Sequence, residues 1–231
     1  MAMKSLENKV VVITGGAKGI GFADAKLFLQ RGAKVAICDL WEKELISAKK
    51  TLKKYGEVFA RAADIRKEKA VVKFVKEVIA HYGRLDVLIN NAGILPSRAD
   101  FSEQSPSVID DVIDTNLKGI LYMTRAVINH MINKKSGIII NMSSVAGIEG
   151  YAEMAVYCAT KFGIRGFSEA LDEEVSGQGI KVYSICPGPV KTDLNAGFTG
   201  RPAEGIPPEE VAELIVKIVA TLPASKTCFE I

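Results

Sequence analysis

Tyr157 and Lys161, in the run Tyr157-Cys158-Ala159-Thr160-Lys161, place a phenol and an ammonium four residues apart. On a helix that spacing brings both groups to one face, a single turn apart. A free tyrosine is protonated at neutral pH, with a pKa of about 10. A neighbouring ammonium favours the phenolate, which suits such a pair to moving a proton at a substrate oxygen. Taken alone, Tyr-x-x-x-Lys is common and is usually a surface pair. Upstream, however, lies the glycine-rich run Thr14-Gly15-Gly16-Ala17-Lys18-Gly19-Ile20-Gly21. It follows a short apolar run and opens a helical one, the context in which glycines hold a phosphate against a helix N-terminus. In this order the two features suggest a dinucleotide beside a proton-moving tyrosine, the equipment of a carbonyl/alcohol oxidoreductase.

Other residues fit around these two. Gly15 permits the tight turn, and Gly19 and Gly21 let backbone and helix approach closely. Asp39 stands about 20 residues further on, where a carboxylate would bond the ribose hydroxyls of NAD and repel the 2′-phosphate of NADP. Lys18 pulls toward NADP, since a cation there could meet that phosphate. No arginine follows Asp39, because Leu40 does, and the balance favours NAD. Asp39 could instead cap the next helix. Two readings stay open for Asp64, which comes before Ile65: a hydrogen bond to an adenine amino group, or a helix cap. In Asn90-Asn91-Ala92-Gly93 the small residues would let the backbone pass close to a flat cofactor, with a plain turn as the alternative. Ser143-Ser144 precedes the tyrosine, and a hydroxyl there could hold a carbonyl oxygen; taken alone it would more often be a turn residue.

These positions need a scaffold, and the sequence alternates short apolar runs with longer helical patterns. Strands are expected at Val10 to Ile13, Lys34 to Cys38, Val58 to Arg61, Val87 to Ile89, Ile138 to Asn141 and Lys181 to Ile185. They are continuously apolar, as strands covered on both faces are. Helices are expected near Ile20 to Arg31, Glu42 to Tyr55, Lys67 to Tyr82, Pro106 to Asn133, Ala155 to Ser176 and Pro208 to Thr221. The alternation indicates an α/β fold, a doubly wound parallel sheet with helices on both faces.

The chain has 231 residues, 48% hydrophobic and 25% charged, enough for one sizeable core. No linker or composition shift divides it, so residues 1–231 read as one domain. Net charge is +3 with acids and bases interspersed, which gives no basic, aromatic-lined patch for nucleic acid. Cys38, Cys158, Cys186 and Cys228 are scattered, as free thiols in a reducing compartment would be. His81 and His130 are isolated, so no metal site is expected. There is no room for a signal peptide and no apolar run long enough to span a bilayer, which points to the cytoplasm and to no membrane partner.

From about Lys9 to Thr192 the chain resembles the short-chain dehydrogenase/reductase family. Thr14, Gly15, Gly19 and Gly21 match its Thr-Gly-x-x-x-Gly-x-Gly turn, and Asn90 to Gly93 its Asn-Asn-Ala-Gly. Tyr157 and Lys161 match its Tyr-x-x-x-Lys. Pro187-Gly188-Pro189-Val190-Lys191-Thr192 matches the stretch that closes over the nicotinamide. The resemblance implies a Rossmann-type sheet of about seven strands, with a cofactor half at roughly 1–93 and a catalytic half at roughly 94–231. It assigns catalysis to Asn116, Ser144, Tyr157 and Lys161, placing Ser144 rather than Ser143 by its distance from the tyrosine. Tyr157 would exchange the proton, and Lys161 would lower its pKa and bind the nicotinamide ribose. Ser144 would orient the substrate, and Asn116 would anchor a proton-relay water. The cofactor contacts it implies are Gly15, Lys18, Gly19, Ile20, Gly21, Asp39, Asp64, Ile65, Asn90, Ala92, Gly93, Tyr157, Lys161, Pro187, Gly188, Val190 and Thr192.

Two features depart from the family. Lys226 to Ile231 is only the start of a last strand that members usually continue. Asp172-Glu173-Glu174 would repel an acidic carrier protein, although Arg125 and Arg165 speak for one. Three loops, Ile94 to Ser97, Val145 to Met154 and Leu194 to Ile206, should define the substrate. Their Leu95, Val145, Met154, Leu194 and Phe198 suggest a neutral small-molecule ketone or secondary alcohol. The alternatives are an NADPH-dependent ketone or 3-oxoacyl reductase and, in another class, a non-catalytic dinucleotide sensor. The resemblance further implies a homodimer or homotetramer built on the helices near Pro106 to Asn133 and Ala155 to Ser176.

Overall fold

The computed structural model describes residues 5–194, 204–222 and 227–231. The apolar runs form strands β1 (Val10–Thr14), β2 (Lys34–Asp39), β3 (Val58–Ala62), β4 (Val87–Asn90), β5 (Gly137–Met142), β6 (Ile180–Cys186) and β7 (Cys228–Glu230). Among the described residues these seven join one sheet in the order β3-β2-β1-β4-β5-β6-β7, and every neighbouring pair is parallel. The helices between them are α1 (Gly19–Gln30), α2 (Glu42–Leu52), α3 (Glu68–Tyr82), α4 (Pro106–Ile113), α5 (Gly119–Lys134), α6 (Ala155–Val175) and α7 (Pro208–Thr221).

The period-two alternation of each strand sorts its side chains between two cores. Val11 and Ile13 of β1 face the layer of α1, α2 and α7, where Phe28, Leu52 and Ile215 are fully covered. Val10 and Val12 face α3 and α5, packing with Phe74, Val78, Met123 and Val127. A fully buried aliphatic side chain contributes about 1.5–3 kcal/mol, whereas an exposed ion pair contributes about 0–1 kcal/mol. These two layers therefore fix the sheet, and the sheet fixes where its carboxyl edge lies.

The strand order reverses between β1 and β4, the place where open sheets leave a crevice for ligands. Two residues fasten that seam. The Thr14 hydroxyl accepts from the backbone N–H groups of Asn91 and Ala92, each at 3.0 Å. The Asn91 side-chain amide donates to the Thr14 and Gly15 carbonyls at 3.0 and 3.1 Å.

Three element boundaries differ from the sequence expectation. The helix expected from Glu42 to Tyr55 stops at Leu52. The long helix expected over Pro106 to Asn133 is broken by a π turn at Asp114–Lys118, because the Asn116 side chain is held by the backbone of a neighbouring loop. The last strand is seen as Cys228–Glu230; Lys226, and Phe198 of the third expected loop, lie outside the described residues.

One residue conflicts with its surroundings. Asp24 of α1 is fully buried, and neither carboxyl oxygen has a hydrogen-bond partner among the described residues. Burial pushes its pKa well above the ordinary value of 3.8. Ionisation of Asp24 is therefore costlier in the folded protein than in the unfolded chain, so stability falls as pH rises above 3.8. Asp24→Asn is expected to flatten that decline and to stabilise the protein at pH 7. Urea unfolding of both proteins between pH 5 and 8 checks this; parallel pH profiles would refute it.

Candidate active site

α6 carries Tyr157 and Lys161 on one face, both buried. The Lys161 ammonium lies 5.4 Å from the centroid of the Tyr157 ring and donates to the carbonyl of Met142, the last residue of β5, at 2.8 Å. The turn after β5 is pinned to the same helix. Ser143 donates its hydroxyl to the Lys161 carbonyl at 2.9 Å, and Arg165 Nη1 donates to the Gly147 carbonyl at 2.9 Å. A Cβ on Gly147 would stand only 2.7 Å from the Lys161 carbonyl oxygen, so no larger residue fits this approach. Ser143 is thereby occupied structurally. Ser144, half-buried at the start of the Val145–Gly147 turn, accepts from the Ala146 N–H at 3.2 Å, donates to the Pro187 carbonyl at 3.5 Å, and stands near enough to the Tyr157 phenol to favour its ionised form.

The electrostatics differ from the sequence expectation. Burial pushes the Tyr157 phenol up to about 12, opposed by the nearby Ser144 hydroxyl. Lys161 does not offset that rise: its ammonium is directed to the Met142 carbonyl, and burial lowers its own pKa to about 8. The physical reason is desolvation, which penalises the charged form of both partners. Tyr157 is therefore a neutral phenol at neutral pH.

Asn116 sits in the π turn, fully buried. Its Nδ2 donates to the Ile94 carbonyl and its Oδ1 accepts from the Ile94 N–H, both at 2.8 Å. π turns inside α-helices are frequent at functional sites because they re-aim a side chain. Next to Ile94, a Cβ on Gly93 would lie 3.2 Å from Asn116 Oδ1 and 4.0 Å from Lys161 Nζ. Asn116, Gly93, Lys161, Tyr157 and Ser144 thus form one contiguous group.

The glycine turn lies along the same rim. Gly15 and Gly19 have φ of +64° and +58°, in the left-handed region that favours glycine. A Cβ on Gly21 would collide with the Gly15 carbonyl and the Asn91 amide. Among the described residues no side chain caps the first turn of α1, so its N–H groups and positive dipole end face the rim as an anion site would. Ile20 is half-buried against the α1 layer. The Asp39 carboxylate accepts from Ala17 N–H at 3.1 Å and Leu40 N–H at 2.8 Å, which aims it at the turn. Thr192 stands over Gly19, its Cγ2 3.3 Å from where a Cβ would be. The Pro187 carbonyl receives the Val145 N–H at 3.0 Å, Gly188 N–H reaches the Ile231 carbonyl at 2.8 Å, and Val190 is buried and bridges to Ile206. A closely approached glycine turn, an uncapped helix start and a carboxylate at the end of β2 fit a dinucleotide.

Several expected residues serve other partners. Asn90 is buried, its amide donating to Asn141 Oδ1 at 2.8 Å and Thr124 Oγ1 at 3.2 Å, so its side chain belongs to the layer between sheet and helices. Asp64 does not cap α3, whose N-cap is Lys67; Arg66 grips it with Nε at 2.9 Å and Nη2 at 3.0 Å. Ile65 is buried against Gly119. Lys18 pairs with Asp193 at 3.4 Å, both largely exposed. Asp172 is buried, accepting from Val182 N–H at 2.9 Å and pairing with Lys181 at 3.5 Å, so only Glu173 and Glu174 of that acidic run face solvent. Leu95 and Met154 pack on the Tyr157 cluster, as walls of a substrate pocket would, whereas Leu194 is exposed. Sequence reasoning quoted Thr14, Asn91 and Ser143 within its motifs without giving them a part in fastening this rim, and it missed Arg66, which nothing local distinguishes.

Residues 9–201 match the short chain dehydrogenase family. The 3-oxoacyl-[acyl-carrier-protein] reductase FabG of Chlamydia muridarum is 39% identical over 219 residues, 90% of this chain and 88% of that protein. The enzyme of the same name from Thermotoga maritima is 36% identical over 222 residues, 91% and 90% of the two chains. In three dimensions, the 3-ketoacyl-(acyl-carrier-protein) reductase from Brucella melitensis complexed with NADH superposes with a TM-score of 0.91 at 28% identity, covering 98% of each chain. Levodione reductase gives 0.89 at 25% identity, over 97% and 96%. A family match along most of the sequence, joined by relatives at 36–39% identity, places this chain in the short chain dehydrogenase family, as an NAD(P)-dependent oxidoreductase.

Proposed function

We propose that this protein interconverts a neutral ketone and its secondary alcohol with NAD(H), using Tyr157 as the proton donor or acceptor. The observation that carries the reading is the buried Tyr157 ring with the buried Lys161 ammonium 5.4 Å from its centroid and Ser144 beside its phenol. When bound, the nicotinamide cofactor supplies or accepts the hydride. In the reductive direction Ser144 donates to the carbonyl oxygen and holds the substrate in line. Tyr157, a neutral phenol, passes its proton to that oxygen as it becomes an alkoxide. Lys161, whose pKa of about 8 lies near working pH, resupplies the phenol, and Asn116 keeps Ile94 and Gly93 in place beside the ammonium. Leu95 and Met154 exclude water from one side.

Asp39 supports NAD over NADP, since a 2′-phosphate would meet its carboxylate, and the pairing of Lys18 with Asp193 reduces the opposing pull. A second reading, an NADPH-dependent 3-oxoacyl reductase, draws support from the names of the FabG relatives and from Asp172, which is buried and so cannot repel a carrier. We also read the chain as one domain acting in the cytoplasm: the four cysteines are free, and no helix among the described residues is long and apolar enough to cross a membrane. A groove between α5 and α6 lined by Tyr122, Ile128, Phe167 and Leu171 suits a second copy.

Tyr157→Phe is expected to lower kcat by at least about 100-fold, the scale of a lost acid/base, while NADH binding stays near normal; retained turnover on a ketone panel would sink the assignment. In the parent, kcat/KM for reduction should fall as pH rises through about 8, where Lys161 loses its proton, and the alcohol oxidation should gain; a flat profile from pH 6 to 10 argues against the relay. Titration with both reduced cofactors should show tighter NADH binding, and Asp39→Ala should narrow the gap. A 3-oxoacyl thioester in the panel, turned over faster with NADPH, would establish the second reading instead.

A further inference from the structure

We propose that Arg66 is a positioning residue for the reaction, tying the loop after β3 to the π turn that holds Asn116. The inference rests on the reading that the cluster of Asn116, Lys161 and Tyr157 performs the chemistry. Three consecutive residues, Asp64, Ile65 and Arg66, follow β3 at the carboxyl edge of the sheet. Arg66 binds both oxygens of Asp64 through Nε and Nη2 and reaches Asp111 Oδ1 on α4 at 2.9 Å with Nη1. Its hydrogen bonds hold the Asp64 carboxyl below its usual range, so this grip persists through the working pH. On the other side of the π turn, Ile65 packs so tightly on Gly119 that a Cβ there would stand 2.6 Å from Ile65 Cδ1.

The two attachments, Asp111 and Gly119, bracket residues 114–118. A π turn fits one extra residue into a helix, and relaxation to an ordinary helix would rotate the residues on one side by about 100°. Asn116 would then leave the Ile94 backbone, and Gly93 would lose its neighbour beside the Lys161 ammonium. Holding both arms of the turn prevents that rotation. Ile65 does so by packing, and Arg66 does so with a directed, charge-assisted bond. Asp64 and Ile65 are also the residues expected to meet the adenosine end of the cofactor, so one loop would serve both ends of the site.

Asp111 is not among the residues assigned to cofactor or substrate, and its loss leaves the Arg66–Asp64 bonds in place, so Asp111→Asn isolates the tie. The ion pair is partly exposed, and such pairs are weak; the expected loss in kcat is therefore about threefold to fivefold. NADH affinity, measured by fluorescence, should stay within about twofold, and the melting temperature should be nearly unchanged. Asp111→Glu should restore kcat, and Arg66→Gln combined with Asp111→Asn should be no worse than Arg66→Gln alone. An adenosine role alone would appear as weakened NADH binding with kcat intact, and a merely structural role as a lower melting temperature with kcat intact; either result overturns the proposal. Asn116→Ala serves as the control. If it lowers kcat while Asp111→Asn does not, the tie is refuted and the site reading stands. If neither lowers kcat, the site reading itself fails and the tie with it.

Discussion

The rest of the site depends on keeping an ammonium out of water. Lys161 lies buried behind the Tyr157 ring, and its main compensation is one carbonyl, that of Met142 at the end of β5. Removing a charge from solvent without a partner is costly, so that carbonyl must be present whenever α6 docks. It follows that β5, the turn after it and α6 are built as a unit. Ser143 and Arg165 fasten the turn to the helix, Gly147 lets the two backbones close up, and Ser144 is left facing the phenol. Desolvation then sets both acidities in the directions a proton relay needs, with a reluctant phenol in front and a readily deprotonated amine behind it.

The layer beneath the rim is unusually polar for a core. Asn90 and Asn141 stand in register on β4 and β5, and Asn141 passes the network on to Ser168 of α6 at 2.9 Å, whose hydroxyl donates to the Ile164 carbonyl at 2.7 Å. Buried amides of this kind cost stability when any member is unsatisfied, and in exchange they admit one register and one helix position. The network lies directly under the strand ends that carry the Asn90-to-Gly93 loop and the serine turn, so it sets their relative height.

Much of this could be read in the sequence, for identifiable reasons. Continuous Val/Ile runs separated by helical patterns leave little alternative to a parallel sheet, and the glycine turn falls between the first strand and the first helix, where its sequence context put it. Tyr157 and Lys161 could be paired because helical spacing alone decides which face they share. Asn116 was found only through the resemblance, since a π turn leaves no local pattern and the helix around it reads as unbroken. Asp172 looked like a surface acid because a sequence does not show that β6 offers it an N–H. The same blindness to burial reversed the expectation for Tyr157: proximity to a cation can be inferred from spacing, but the loss of hydration that outweighs it cannot.

The seam between β1 and β4 carries one more consequence. Its fastening bonds join Thr14 to Asn91, 77 residues apart in the chain, so closing it demands a large loss of chain entropy before any reward. Such non-local pairing slows folding, and a dinucleotide lying across the crevice would hold its two sides together, stabilising the folded chain by mass action.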